Sequence, residues 1–305
     1  MQRKPEYAPG SARSRRGRTA VAALLAAVVL PLGATAGCDS SDSGGKHAQG
    51  PHGAPSSPAP TWDTSPGSVA AVGDSITRGF DACSVLADCT KVSWATGSDP
   101  KVRSLASRLG VKKQWNDART GARMADVPAQ IDAAAAHRPE LVTIMAGAND
   151  ACRDSVSHMT PVDEFRTSFM TALKRFRTAL PKSEVYVSSV PDLKRLWSQG
   201  RGNPLGKQIW KLGICASMLR DADAMDPAAV ARRDAVRERV VAYNAVLRDV
   251  CASDTHCRYD GGAVFGFRFT GAQLSPWDWF HPGRDGQERL AEIAYRNVTA
   301  ARPPA

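Results

Sequence analysis

Five short strand-like runs, Val69–Val72, Gln114–Ala118, Leu141–Ala146, Glu184–Val190 and Tyr259–Phe265, are separated by stretches with helical periodicity. Strands that alternate with helices in this way form a parallel sheet whose two faces are both covered, because each crossover helix must pack back onto the sheet. The pattern therefore predicts an α/β protein with a five-stranded parallel sheet inside a three-layer α/β/α sandwich. Phe165, Phe169, Leu173, Phe176 and Leu180 recur at helical spacing, which reads as a core-packing stripe. Val230, Val236, Val240 and Val250 mark a second helix, with arginines on its solvent side. Between these helices, Leu193 to Ala228 holds Trp197, Gly200, Gly202, Trp210 and Met218 without a clear period. Such a stretch is either a binding loop or an inert surface insertion.

The first 67 residues do not fit this pattern. Arg13, Arg15, Arg16 and Arg18 precede an apolar stretch from Ala20 to Leu32, too short to span a bilayer comfortably and flanked like a signal peptide. It runs into Thr35-Ala36-Gly37-Cys38, which is similar to a bacterial lipobox. The expectation is a leader over 1–37, cleavage before Cys38 and lipidation of that cysteine, so that the protein is exported and held at the outer face of a cell membrane; the alternative is an ordinary secretory signal that happens to contain Cys38, which would leave the protein secreted. Residues 38–67 are dominated by Ser, Gly, Pro, Asp and Thr and lack the apolar content needed to order them. They read as a tether spanning roughly 30 Å as a flexible coil, followed by a folded domain over 68–302.

An exported chain changes the reading of the seven cysteines. With Cys38 assigned to the anchor, six remain, enough for three bridges in an oxidising compartment. Six cysteines allow fifteen pairings. Cys83 with Cys89 and Cys251 with Cys257 are close enough in sequence for local loops, which leaves Cys152 with Cys215. The formal charge of +10 also shrinks, since residues 1–37 carry six Lys and Arg against one Glu. The remaining excess is mild and diffuse, compatible with anionic lipid or wall polymers and unlike a nucleic-acid-binding surface. No histidine pair has metal-ligand spacing, and no cofactor motif is present.

The chemistry lies at three places where a run ends. Gly73-Asp74-Ser75-Ile76-Thr77 follows the first apolar run, Gly147-Ala148-Asn149-Asp150 follows the third, and Asp278-Trp279-Phe280-His281 lies near the C-terminus. A serine hydroxyl becomes a nucleophile only when a base takes its proton and a third group fixes that base. Ser75, His281 and Asp278 fill these roles. A developing oxyanion needs preorganised donors, which Asn149 and the backbone N–H groups of Ser75 and Gly121 can supply.

With Ala118-Arg119-Thr120-Gly121-Ala122 as the second of four blocks, the order and spacing resemble the SGNH (GDSL-type) hydrolases over about residues 68–298. The family's usual asparagine two residues before the glycine is here Arg119. The resemblance implies a flavodoxin-like fold with Ser75 as nucleophile, His281 as base and acid, and Asp278 as its orienting carboxylate. It also implies an oxyanion hole of Ser75, Gly121 and Asn149, with no cofactor and no metal. Ser93-Trp94, Asp126-Val127-Pro128-Ala129-Gln130, Cys152 and Val190-Pro191-Asp192 are similar to landmarks of the phospholipase B-like branch. That similarity implies a lipid acyl ester as substrate. The same blocks also serve carbohydrate esterases that remove acetyl groups, and the fold alone would serve a non-catalytic wall- or lipid-binding module.

Overall fold

The computed structural model describes residues 62–302. The predicted leader, Cys38 and most of the predicted tether lie outside the described residues. Five strands form one sheet: β1 (Ser68–Gly73), β2 (Lys113–Asn116), β3 (Leu141–Met145), β4 (Glu184–Val187) and β5 (Cys257–Tyr259). All four pairings are parallel and the order is β2-β1-β3-β4-β5. β1, β3 and β4 are buried along their whole length, as expected of strands covered on both faces. Helices Val127–Ala136, Val162–Ala179 and Pro227–Cys251 pack in succession, and Arg284–Thr299 packs with Leu105–Leu109. The predicted phenylalanine stripe is core, with Phe165, Phe169 and Phe176 fully buried.

The topology places the site. From β1 the chain crosses first to β2 on one side and then to β3 on the other, so the strand order reverses between β1 and β3. Such a switch point leaves a crevice beyond the strands' carboxyl ends. Gly73 is in register with Met145, so the residues that follow β1 and β3 emerge side by side.

β1 and β3 differ from the pattern-based expectation by no more than a single residue at any end, and the other three strands differ by more, each for a local reason. β4 stops at Val187 because Asn244 takes over the backbone of Val190. Its Oδ1 accepts the Val190 N–H at 2.8 Å and its Nδ2 donates to the Val190 carbonyl at 3.1 Å. β5 covers only Cys257–Tyr259, and Ala263–Gly266 is a helical turn. The buried Asp260 side chain starts that turn by accepting the N–H groups of Gly262 and Val264 at 2.8 and 3.0 Å. β2 ends at Asn116, whose amide is drawn to Thr77, Ser93 and Thr96 at 3.1–3.3 Å.

Residues 62–67, expected in the tether, lie against the domain. The Trp62 indole N–H donates to the Val298 carbonyl at 2.8 Å, and Arg258 sits over its ring. The Gly67 N–H reaches Glu140 at 2.6 Å. The segment without a clear period folds as short helices, Leu193–Gly200, Pro204–Trp210 and Ala216–Leu219. Arg233, expected on a solvent face, is fully buried beneath this segment. It donates to the carbonyls of Met218, Asp221 and Ala224 and stacks on Trp197. A guanidinium with several donors in one plane can satisfy an irregular loop that no helix or strand would. Disulfides join Cys83 to Cys89, Cys152 to Cys215 and Cys251 to Cys257.

Candidate active site

Ser75 begins a four-residue helix directly after β1. Two neighbours make that turn possible. Gly73 has φ +143°, and any β-carbon there would collide with the Met145 carbonyl of the adjoining strand. Asp74 is the N-cap, its Oδ1 accepting the Ile76 N–H at 2.9 Å. Gln130 then clasps the strand end, accepting the Gly73 N–H at 2.7 Å and donating to its carbonyl at 3.0 Å. Gln287, from the last helix, donates to the Ile76 carbonyl and accepts the Trp94 N–H, both at 2.9 Å.

The C-terminal block meets this turn. Ser75 Oγ lies 3.1 Å from His281 Nε2, and His281 Nδ1 donates to Asp278 Oδ2. Asp278 is fully buried, and its other oxygen accepts the N–H groups of Phe280 and His281 at 3.0 Å each. The three-residue spacing works because Trp279 takes a left-handed φ of +52°, which folds the loop back so that the carboxylate caps its own turn. The Trp210 indole N–H fixes the outside of this loop by donating to the Asp278 carbonyl at 2.6 Å.

Asn149 follows β3 after Gly147, which has φ +127° and whose β-carbon would press into Val190 and Phe165. The Asn149 amide donates one hydrogen to the Ala122 carbonyl at 3.0 Å, which leaves its second N–H available. Asp150 ties the same loop down by accepting the Met124 N–H at 2.8 Å. The second and third blocks are thus held to each other. Among the described residues, no hydrogen bond uses the N–H of Ser75 or of Gly121.

Ser75, Gly121, Asn149 and His281 line one cavity of about 260 Å³. Its other walls are largely apolar: Ile76, Phe80, Leu193, Leu196, Ile214 and Phe280. Leu193, Leu196 and the Gly213–Cys215 stretch come from the segment that lacked a period, so it forms a wall of the site. The Cys152–Cys215 disulfide fastens that wall to the chain just past Asn149.

Charge at the site is unusually acidic for a buried place. Burial pushes the Asp74 carboxyl up to about 7 and raises that of Asp150 as well. For His281, burial alone would disfavour the charged ring, but the negative charge and hydrogen bond of Asp278, with Asp81 and Asp74 beyond it, raise its pKa above the ordinary value. Asp278 is likewise penalised by burial yet held below the usual carboxylate range by His281 and two backbone N–H groups. The arrangement can pass a proton from the Ser75 hydroxyl to an imidazole whose charged form is stabilised, and Ser75 and Gly121, whose N–H groups make no other hydrogen bond among the described residues, line the same cavity.

The structure brings together every residue proposed for the site from the sequence: Ser75, Gly121, Asn149, Asp278 and His281. Sequence reasoning missed Gln287 and Asp81, and it gave Gln130 no role. Glutamine in a helix carries no signal of its own, and an aspartate in a loop carries none either.

A GDSL-like Lipase/Acylhydrolase family model matches residues 71–289. The chain belongs to this family of carboxylic ester hydrolases. No curated protein matches it. Among solved structures, it is similar to phospholipase A1 from Streptomyces albidoflavus NA297 at 18% identity and a TM-score of 0.44, covering 77% of this chain and 100% of the other. A family 3 carbohydrate esterase from Clostridium thermocellum matches at 13% identity and a TM-score of 0.44, over 75% and 93% of the two chains. LAE5, an alpha/beta hydrolase enzyme from the metagenome of Lake Arreo, Spain, matches at 18% identity and a TM-score of 0.47, over 77% and 96%.

Proposed function

We propose that this protein is an exported serine esterase that hydrolyses lipid acyl esters through an acyl-enzyme. The observation that carries the reading is the Ser75–His281–Asp278 relay opening onto a cavity walled by Ile76, Phe80, Leu193, Leu196, Ile214 and Phe280. Ser75 Oγ attacks the ester carbonyl carbon while His281 Nε2 takes the hydroxyl proton. The oxyanion is met by the N–H groups of Ser75 and Gly121 and the free amide hydrogen of Asn149. Collapse expels the alcohol, which takes the proton from His281. Water then adds to the acyl-enzyme, giving a proton to His281, and collapse frees the acid as that proton returns to Ser75. Each methylene buried in an apolar wall yields about 0.8 kcal/mol, which favours an acyl chain over acetate. The lipobox-like Cys38 and the leader support anchoring at a membrane where such esters are found.

The test is a chain-length series of p-nitrophenyl esters run beside phospholipid and acetylated xylan. Specificity that rises or holds from acetate through medium chains, with phospholipid hydrolysed, is the expected result. A steep fall beyond acetate, with xylan deacetylated, would replace this reading by a carbohydrate esterase. Wild-type rates in Ser75→Ala protein would end the serine mechanism altogether.

A further inference from the structure

Behind the relay lies a second buried carboxyl. Asp81 is fully buried, and ligand-type atoms of Asp81, Asp278 and His281 all lie within 4.8 Å of one another. One Asp81 oxygen accepts the Leu86 N–H, while Oδ2 has no partner. The residue is held there deliberately. Its backbone is left-handed, with φ +58°, a conformation that costs energy for a non-glycine residue. Its N–H donates to Ala87 at 3.0 Å, and its carbonyl accepts the Ser275 hydroxyl at 2.6 Å, from the loop that carries Asp278. The Cys83–Cys89 bridge closes the loop that Asp81 begins.

We propose that Asp81 is a positioning residue of the relay, a second acid that acts through Asp278 to aim its carboxylate and to set the basicity of His281. The inference rests on the serine-esterase reading. Two buried carboxylates this close do not both ionise freely, so the charge on one makes the other harder to ionise. Burial, followed by the charge of Asp278, pushes the Asp81 carboxyl up to about 6. Protonated, Asp81 donates to Asp278 and holds it in place. Ionised, it adds a negative charge near the imidazole and raises its affinity for a proton. The groups facing it are Asp278 and His281 from the C-terminal loop. Arg78 and Asp88, on its own side, pair with each other at 2.9 Å, and Asp74 acts on His281 from the end of β1.

Asp81→Asn keeps the shape and a donor for Asp278 but cannot ionise. Hydrolysis of a soluble p-nitrophenyl ester, followed from pH 5 to 9, should show the acid limb of kcat/KM moved to lower pH. At the alkaline plateau kcat should fall several-fold with KM unchanged, because a less basic imidazole takes the serine proton less readily. An acid limb superimposable on that of the wild type overturns the proposal, since a merely structural role would lower stability without moving it. If the variant does not fold, carbon-13 NMR of labelled aspartates in the intact wild type and in Asp278→Asn gives the same answer. The Asp81 carboxyl midpoint should fall when the neighbouring charge is removed, and an unmoved midpoint refutes the coupling. Ser75→Ala in the same assay separates the two readings, because residual turnover there would sink the serine mechanism and leave the Asp81–Asp278 coupling to stand on the NMR result.

Discussion

Replacing Asp278 by Asn leaves the side chain's size unchanged and forces a choice on the imidazole beside it. In the wild type one carboxylate oxygen accepts two backbone N–H groups at 3.0 Å while the other accepts His281 Nδ1–H. The asparagine oxygen must stay on the backbone pair, since turning it away would strand two buried donors at about 1–3 kcal/mol each. Its amide nitrogen then faces His281 Nδ1, which must become the acceptor, and the ring proton moves to Nε2, opposite Ser75 Oγ. An imidazole protonated there cannot take the serine proton. For buried relay carboxylates this loss is about 10⁴ in kcat, or roughly 5 kcal/mol of barrier. The assay is steady-state hydrolysis of a soluble p-nitrophenyl ester at pH 8, with the melting temperature measured in parallel. A loss smaller than tenfold in folded protein would refute the reasoning and show that His281 is oriented by something else. Asp278 also contributes to stability with a definite sign. Its pKa is lowered on folding, so the contribution is present above the unfolded value near 3.9 and is lost as pH falls through the folded one.

Asn149→Ala should lower kcat by about 10² to 10³, the usual cost of one oxyanion donor; a change confined to KM would remove Asn149 from that role. Asp74→Asn keeps the N-cap acceptor and removes a carboxyl that burial pushes up to about 7. Asp74 therefore favours folding at low pH and opposes it increasingly as pH rises from the unfolded value towards 7, so the variant's gain in melting temperature should be larger at pH 8 than at pH 5. The reverse order would contradict the assigned shift. The Cys152–Cys215 bridge has a sequence separation of 63 and the other two bridges have separations of 6. By loop entropy, double alanine replacement should cost about 4 kcal/mol for the long bridge and about 2 for either short one, and denaturant titration of the three double variants reads that order directly.

Much of the site was legible because its chemistry is local in sequence. Gly73-Asp74-Ser75 and Gly147-Ala148-Asn149 each follow a strand, and a parallel sheet delivers such positions to one edge whatever the rest of the chain does. Asp278 and His281 are three apart, so one turn brings their side chains together. Cysteine spacing likewise pointed to the three bridges. The phenylalanine stripe of Val162–Ala179 carried its own periodicity into the core.

What the tertiary structure alone decided are the partners that meet across long separations. Asn244 ends β4 from a helix 54 residues away, and Gln287 clasps the Ser75 turn from 211 residues away. Arg233 is buried because a loop without regular structure needed its carbonyls satisfied, a demand absent from the periodicity of the arginine's own helix. The segment Leu193–Ala228 showed no period because its residues answer to the cavity, the Cys152 bridge and the Asp278 loop rather than to one face of one element. Asp81 is the clearest case. A carboxyl acquires its character from burial and from the charges beside it, and both are properties of the assembled fold, so nothing in Phe80-Asp81-Ala82-Cys83 could announce that it stands behind Asp278.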